Sequence, residues 1–264
     1  SQWMHALQLF GELQNGNFEP SMITFSAAIS ACGRGEQWAQ AAHVLGELQR
    51  SKLEPSVISY NAAISACEKG KRWDRALLLL VELEHFQLEP DVISYNAAIS
   101  ACEKGAKWKH ALSLLGALQQ QLLEPSVITY CAVMSACEKG DNVWELVLLL
   151  FAALQHNRIS PTVVCYNAAI SACEKSKQWE QALRLLDELQ QRDIAPSLIT
   201  FNAAISACEK AEQWANALHL FGALLQKQFE PSVITYNAAI SACEEGGQWA
   251  QALHLLGELK ESNI

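Results

Sequence analysis

Five asparagines, Asn61, Asn96, Asn167, Asn202 and Asn237, stand in near-copies of one phrase, Tyr/Phe-Asn-Ala-Ala-Ile. A primary amide carries a donor and an acceptor side by side, which suits it to the edge of an unpaired base. Eight residues after this register comes a cation: Arg34, Lys69, Lys104, Lys139, Lys175 and Lys210, with Glu245 in the seventh place. At a helix C-terminus such a cation is favoured by the helix dipole and free to meet phosphate. A carboxylate precedes it in Glu68, Glu103, Glu138, Glu174, Glu209 and Glu244. Ser26 and Cys131 break the amide row.

These side chains need a helix to align them. Tyr60, Ala63, Ile64 and Cys67 recur at i, i+3, i+4 and i+7, one apolar helical stripe. At 100° per residue, Ile58, Asn61, Ser65 and Lys69 fall within about 80° of one another on the opposite side. The set returns as Ile93, Asn96, Ser100, Lys104 and as Ile199, Asn202, Ser206, Lys210. Surface positions drift cheaply, so a retained polar set points either to a ligand or to recent duplication. Pro55 opens the segment, Ser56 or Ser59 caps the helix, and Gly70 ends it. Trp73, Ala76, Leu77, Leu80 and Leu83 then form a second stripe, which stops near Glu84–His85.

The pattern is periodic along the whole chain. Its seven prolines, from Pro20 to Pro231, lie 35 residues apart with one step of 36, and its eight tryptophans keep the same spacing. A fixed period of this size marks a repeat architecture. The expected fold is all-α, an α-solenoid of helix-turn-helix repeats in a single array over 1–264. A partial repeat covers 1–21, followed by 22–56, 57–91, 92–126, an irregular 36-residue repeat 127–162, then 163–197, 198–232 and an incomplete 233–264. The irregular repeat has its extra residue within 141–143 and should be kinked there. The periodic aromatics, Trp and Phe25, Tyr60, Tyr95, Tyr130, Tyr166, Phe201 and Tyr236, read as packing, as do the seven periodic cysteines, small buried residues of a reducing compartment. Ser1 falls mid-repeat and Ile264 short of the next Pro, so an interior stretch of a longer array is expected.

The net charge of −9 argues against non-specific attraction to nucleic acid or anionic membrane. No apolar run approaches the roughly 18 residues needed to cross a bilayer, so no membrane insertion is expected.

With its 35-residue period, its (V/I)(S/T)YN helix start and its Pro-(S/D)-V junction, the chain resembles a pentatricopeptide repeat array of the 35-residue type along its whole length. The resemblance implies a right-handed superhelix that binds single-stranded RNA along its first helices, one base per repeat. It implies base reading by the amide position together with the residue after the closing Pro. The pairs are Ser26 with Ser56, Asn61 with Asp91, Asn96 with Ser126, Cys131 with Thr162, Asn167 with Ser197, and Asn202 with Ser232; Asn237 lacks its partner. Asn with Asp implies uracil and Asn with Ser cytosine, hence a pyrimidine-leaning ligand, looser at Ser26 and unread at Cys131. Ile23, Ile58, Ile93, Ile128, Val164, Ile199 and Ile234 would wedge between bases. Six phosphate contacts by the cation row would give a salt slope near −4, at about −0.7 each.

The same resemblance implies an organellar setting, mitochondrion or plastid, and a role in RNA processing. No cofactor, metal or DNA partner is expected. No enzyme is expected either: no histidine has a second His or Cys at i+3 or i+4, and no C-x-x-C, H-x-E or phosphate loop occurs. The alternative function, favoured by the acidic balance, is a scaffold that holds protein partners in a larger assembly.

Overall fold

The structure, a computed structural model, describes residues 2–16, 20–51, 53–140 and 143–261. Every regular element among them is a helix. In chain order these are α1 (Gln2–Asn15), α2 (Met22–Arg34), α3 (Trp38–Arg50), α4 (Val57–Lys69), α5 (Trp73–His85), α6 (Val92–Lys104), α7 (Trp108–Gln120), α8 (Val127–Glu138), α9 (Trp144–His156), α10 (Val163–Lys175), α11 (Trp179–Gln191), α12 (Leu198–Lys210), α13 (Trp214–Gln226), α14 (Val233–Glu245) and α15 (Trp249–Glu261). Contacts divide the chain into two compact units, Ser1–Ala136 and Cys137–Ile264. In the first unit α2, α4 and α6 lie side by side in chain order, with α3 and α5 each packed on its own first helix and on the next one. In the second unit α10, α12 and α14 do the same, with α11 and α13 behind them. Each unit is therefore an all-α solenoid of helix pairs.

The helix starts are set by reciprocal caps. Ser56 Oγ accepts the Ser59 backbone N–H at 3.4 Å and Ser59 Oγ accepts that of Ser56 at 3.0 Å. The two serines that the sequence offered as alternatives thus act together. The same box closes Ser21 with Thr24, Asp91 with Ser94, Ser197 with Thr200 and Ser232 with Thr235.

Gly70 needs a different reading from the one its position suggests. Its φ is −77°, ordinary for any residue, and the left-handed residue is the next one, Lys71, at φ 55°. What glycine permits here is close approach: a Cβ at Gly70 would lie 2.6 Å from Trp38 Cδ1, and one at Gly105 2.5 Å from Trp73 Cδ1. The tryptophan of one repeat seats on the glycine of the next. Gly70→Val should therefore destabilise the first unit by about 1–3 kcal/mol through overpacking, read as a lower denaturation midpoint. Ser176 and Ala211 hold this register elsewhere, so the loss should grow with side-chain size.

Tyr60, Ala63, Ile64 and Cys67 are all buried, as their spacing implies. On α5 the buried set is Ala76, Leu79, Leu80 and Leu83; Leu79 takes the place expected for Leu77, because α5 also faces α6. The seven periodic cysteines are free and buried, and burial pushes the Cys102, Cys137, Cys173 and Cys208 thiols up to about 11. In the irregular repeat α8 is 12 residues long against 13 for α4 and α6. Residues 141 and 142, where the kink was expected, lie outside the described residues.

Candidate functional site

The first helices carry two contrasting apolar series. The aromatics Phe25, Tyr60, Tyr95, Tyr130, Tyr166, Phe201 and Tyr236 are buried, whereas two residues before each stands an exposed one. Exposure runs from 52% at Val164 to 80% at Ile23, through Ile58, Ile93, Ile128, Ile199 and Ile234. A row of β-branched residues held in water at every repeat is a feature that folding alone does not require.

Beside this row the amides of Asn61, Asn96, Asn167 and Asn202 are half-buried, and Asn237 is exposed. Each of the four takes a hydrogen bond on Oδ1 from a hydroxyl of the following repeat. Ser94 Oγ donates to Asn61 at 2.6 Å, Thr129 Oγ1 to Asn96 at 2.6 Å, Thr200 Oγ1 to Asn167 at 2.6 Å, and Thr235 Oγ1 to Asn202 at 2.7 Å. The amide nitrogen then faces the residue after the proline: Asn61 Nδ2 donates to Asp91 Oδ1 at 3.1 Å and Asn167 Nδ2 to Ser197 Oγ at 3.3 Å. Asn96 meets Ser126, and Asn202 meets Ser232, through the shared hydroxyls of Thr129 and Thr235. Ser26 brings no amide to Ser56; there the Ser59 hydroxyl donates to the Ser56 carbonyl at 2.9 Å. Cys131 is buried and Thr162 exposed in the irregular repeat. The hydroxyls Ser94, Thr129, Thr200 and Thr235 are the residues sequence reading missed. Their signal was the Ser/Thr three residues after each cap except Thr162, where Cys165 stands.

Burial tends to push the Asp91 carboxyl up, but the Ser94 amide and hydroxyl and the Asn61 amide outweigh it and hold the group below its ordinary value. It is a carboxylate at neutral pH, and its contribution to stability is lost only as pH falls through that lowered value.

The cation row behaves unlike a free phosphate track. Lys104 Nζ lies 2.8 Å from Glu68, Lys175 Nζ 2.9 Å from Glu138, and Lys210 Nζ 2.8 Å from Glu174. Each pair joins a first helix to its predecessor. Lys69 would look back to residue 33, but that residue is a buried glycine, packed with its Cβ position 3.3 Å from Ala66. Lys69 and Arg34 make no ion pair among the described residues. Lys139 is exposed just past α8. At the far end of the row Glu209 accepts from Ser241 Oγ at 3.1 Å, and Glu244 and Glu245 are exposed. Residues 1–136 carry ten basic and thirteen acidic side chains, and 137–264 carry nine and fifteen, so the free cations lie in the less acidic unit. Among the described residues no cluster of three or more His, Cys, Asp or Glu is placed to hold a metal, and no helix is long and apolar enough to cross a membrane.

Paired helices stacked by fixed contacts, with a hydrogen-bonded amide in four of the repeats, define a helical-repeat solenoid that presents a periodic row of side chains. Family models assign it more narrowly. The model described as pentatricopeptide repeat domain matches residues 6–70 and 78–140, that of the PPR repeat family 161–210 and 196–245, and that of the PPR repeat 58–88 and 234–264. The chain belongs to the pentatricopeptide repeat family. It is similar to the crystal structure of the pentatricopeptide repeat protein PPR10 from maize, with TM-score 0.73 and 25% identity over 99% of this chain and 37% of that one. PPR10 in complex with an 18-nt PSAJ RNA element gives TM-score 0.61 at 15% identity, over 98% of this chain and 43% of that one. The PPR domain of Arabidopsis thaliana protein-only RNase P 1, in complex with tRNA, gives 0.58 at 12% identity, over 63% of this chain and 87% of that one. The chain thus spans well under half the length of the PPR10 chains it matches. No curated protein matches it.

Proposed function

We propose that the chain binds single-stranded RNA along its first helices, selecting sequence with a pyrimidine lean, in organellar RNA metabolism. One observation carries this reading: an exposed β-branched residue stands three residues before a hydrogen-bonded amide in each of the four repeats that carry Asn61, Asn96, Asn167 and Asn202. The family, and the RNA held by the PPR10 and RNase P 1 structures, support the ligand class.

The chemistry follows from what each amide has left. With Oδ1 taken, Asn presents N–H, which suits the O2 or N3 acceptor of cytosine or a uracil carbonyl. At Asn61 the Asp91 carboxylate adds an acceptor, Oδ2, suited to the N3–H of uracil. Ser126, Ser197 and Ser232 offer hydroxyls already engaged in their caps, so Asn96, Asn167 and Asn202 lean to cytosine. The exposed isoleucines and Val164 separate successive bases by apolar contact. Ser26 with Ser56 reads loosely, Cys131 reads nothing, and Asn237 awaits a partner. Phosphates are met first by Arg34 and Lys69.

Selection from a random RNA pool at low salt tests this. The expected result is enrichment of C/U-rich sequence, with Asn96→Thr changing the preferred base at one position only. Retention without any enriched sequence defeats base reading. No retention at all sinks RNA binding and leaves the scaffold reading, which the acidic total and the neutralised lysines favour.

A further inference from the structure

We propose that Ser94, Thr129, Thr200 and Thr235 are positioning residues for base selection: each hydroxyl fixes which end of the preceding repeat's asparagine amide faces the ligand. The proposal rests on the RNA reading for its consequence, but not for its geometry.

A hydroxyl has one proton and two lone pairs. Thr200 Oγ1 accepts the Ser197 backbone N–H at 3.0 Å and lies 2.9 Å from Ser197 Oγ, which in turn accepts the Thr200 backbone N–H at 3.2 Å. With Ser197 Oγ donating to it, Thr200 Oγ1 has both lone pairs filled. Its own proton goes to Asn167 Oδ1, 2.6 Å away. Thr200 is fully buried, so no water can take over either role. Turning the Asn167 amide over would reverse the hydroxyl donors around the ring and place an NH₂ group 2.6 Å from Thr200 Oγ1, a separation that suits O–H···O and is shorter than the usual N–H···O bond. The amide is therefore held with oxygen inward and N–H toward Ser197 and the groove.

The same directional chain is built at Thr129 with Ser126 and Asn96, and at Thr235 with Ser232 and Asn202. At Ser94 the cap is Asp91, and the hydroxyl lies 2.6 Å from Asn61 Oδ1 against 2.9 Å from the carboxylate. Where Ser26 replaces the amide, Ser59 turns its hydroxyl to a carbonyl instead. The hydroxyl thus points at the amide where one is present and finds another acceptor where it is not. Across the irregular repeat the two registers change together, to Cys131 and Cys165.

The test uses the whole chain with Thr200→Val, which keeps the shape and removes the proton, and Thr200→Ser, which restores it. The Asn167 side-chain NH₂ signals are followed by ¹⁵N–¹H spectroscopy, and base discrimination is measured position by position. Thr200→Val should shift and deprotect the Asn167 signals and reduce discrimination at that one base by about tenfold. Thr200→Ser should restore both. Thr235→Val, acting on Asn202, is the second variant should the first fold poorly. Unchanged Asn167 signals in Thr200→Val overturn the orientation claim. Shifted signals with unchanged discrimination overturn the role in base selection and reduce the hydroxyl to a cap. Failure of the unaltered chain to bind RNA sinks the RNA reading and the selection role with it, while the spectroscopic arm still judges the orientation by itself.

Discussion

Replacing Glu68, Glu138 and Glu174 together by Gln should strengthen RNA binding and steepen its salt dependence. Each of these carboxylates holds one lysine of the row, Lys104, Lys175 or Lys210, at 2.8–2.9 Å. A lysine already paired exchanges one anion for another when phosphate arrives, and releases little. Freed, each should add about −0.7 to the slope of log K against log salt, or about −2 for the three. The stability given up is small, because the lysine partners are 35–46% exposed and such pairs contribute at most about 1 kcal/mol each. Arg34→Gln with Lys69→Gln is the complementary change: it should flatten the slope of the unaltered chain by about 1.4. Binding titrations between 50 and 200 mM salt, a range in which such slopes are well resolved, decide the matter. A slope unmoved by the Glu changes means that these three lysines never meet phosphate, and they drop out of the track.

How much of this was legible beforehand differs from residue to residue, for physical reasons. The ends of α4 and α5 were readable because local signals determine them: Pro55 and Ser56 before the start, Trp73 after the turn. Gly70 was readable as a helix end but not in its cause. Glycine at that place suggests a left-handed residue, and only the seating of Trp38 from the preceding repeat reveals a contact instead. The left-handed conformation falls on Lys71 and Ala106, which no composition rule would pick. The Glu and Lys rows were readable as neighbours that cancel charge. That they join successive repeats depends on the offset between packed helices, which carries Lys104 back onto Glu68, 36 residues earlier. Asn167 was readable as a donor and acceptor; which of the two remains for a ligand was not. That is decided by Thr200 in the next repeat, through a bond whose donor the sequence marks only as a capping residue.

Phe201→Ala and Ile199→Ala, two residues apart on α12, should separate folding from binding. Both side chains are apolar, and only their angle on the helix distinguishes them. Phe201 is fully buried, with its ring 5.9 Å from that of Phe229. Its removal should cost about 3–5 kcal/mol, lost transfer energy plus the cavity left behind. In a repeat array that loss falls on one unit and its neighbours, so amide exchange should quicken first in α12 and in α10 and α14, which pack on it. Ile199 is 63% exposed, so truncating it should change stability by no more than about 0.5 kcal/mol. On the RNA reading the same truncation removes apolar surface that a base would cover, a contribution of about 1–2 kcal/mol or roughly tenfold in Kd. Chemical denaturation and RNA titration on the two variants therefore give opposite patterns. If Ile199→Ala binds RNA as the unaltered chain does, the exposed row is not a wedge between bases. If it unfolds as readily as Phe201→Ala, its side chain has a packing role that its exposure does not account for.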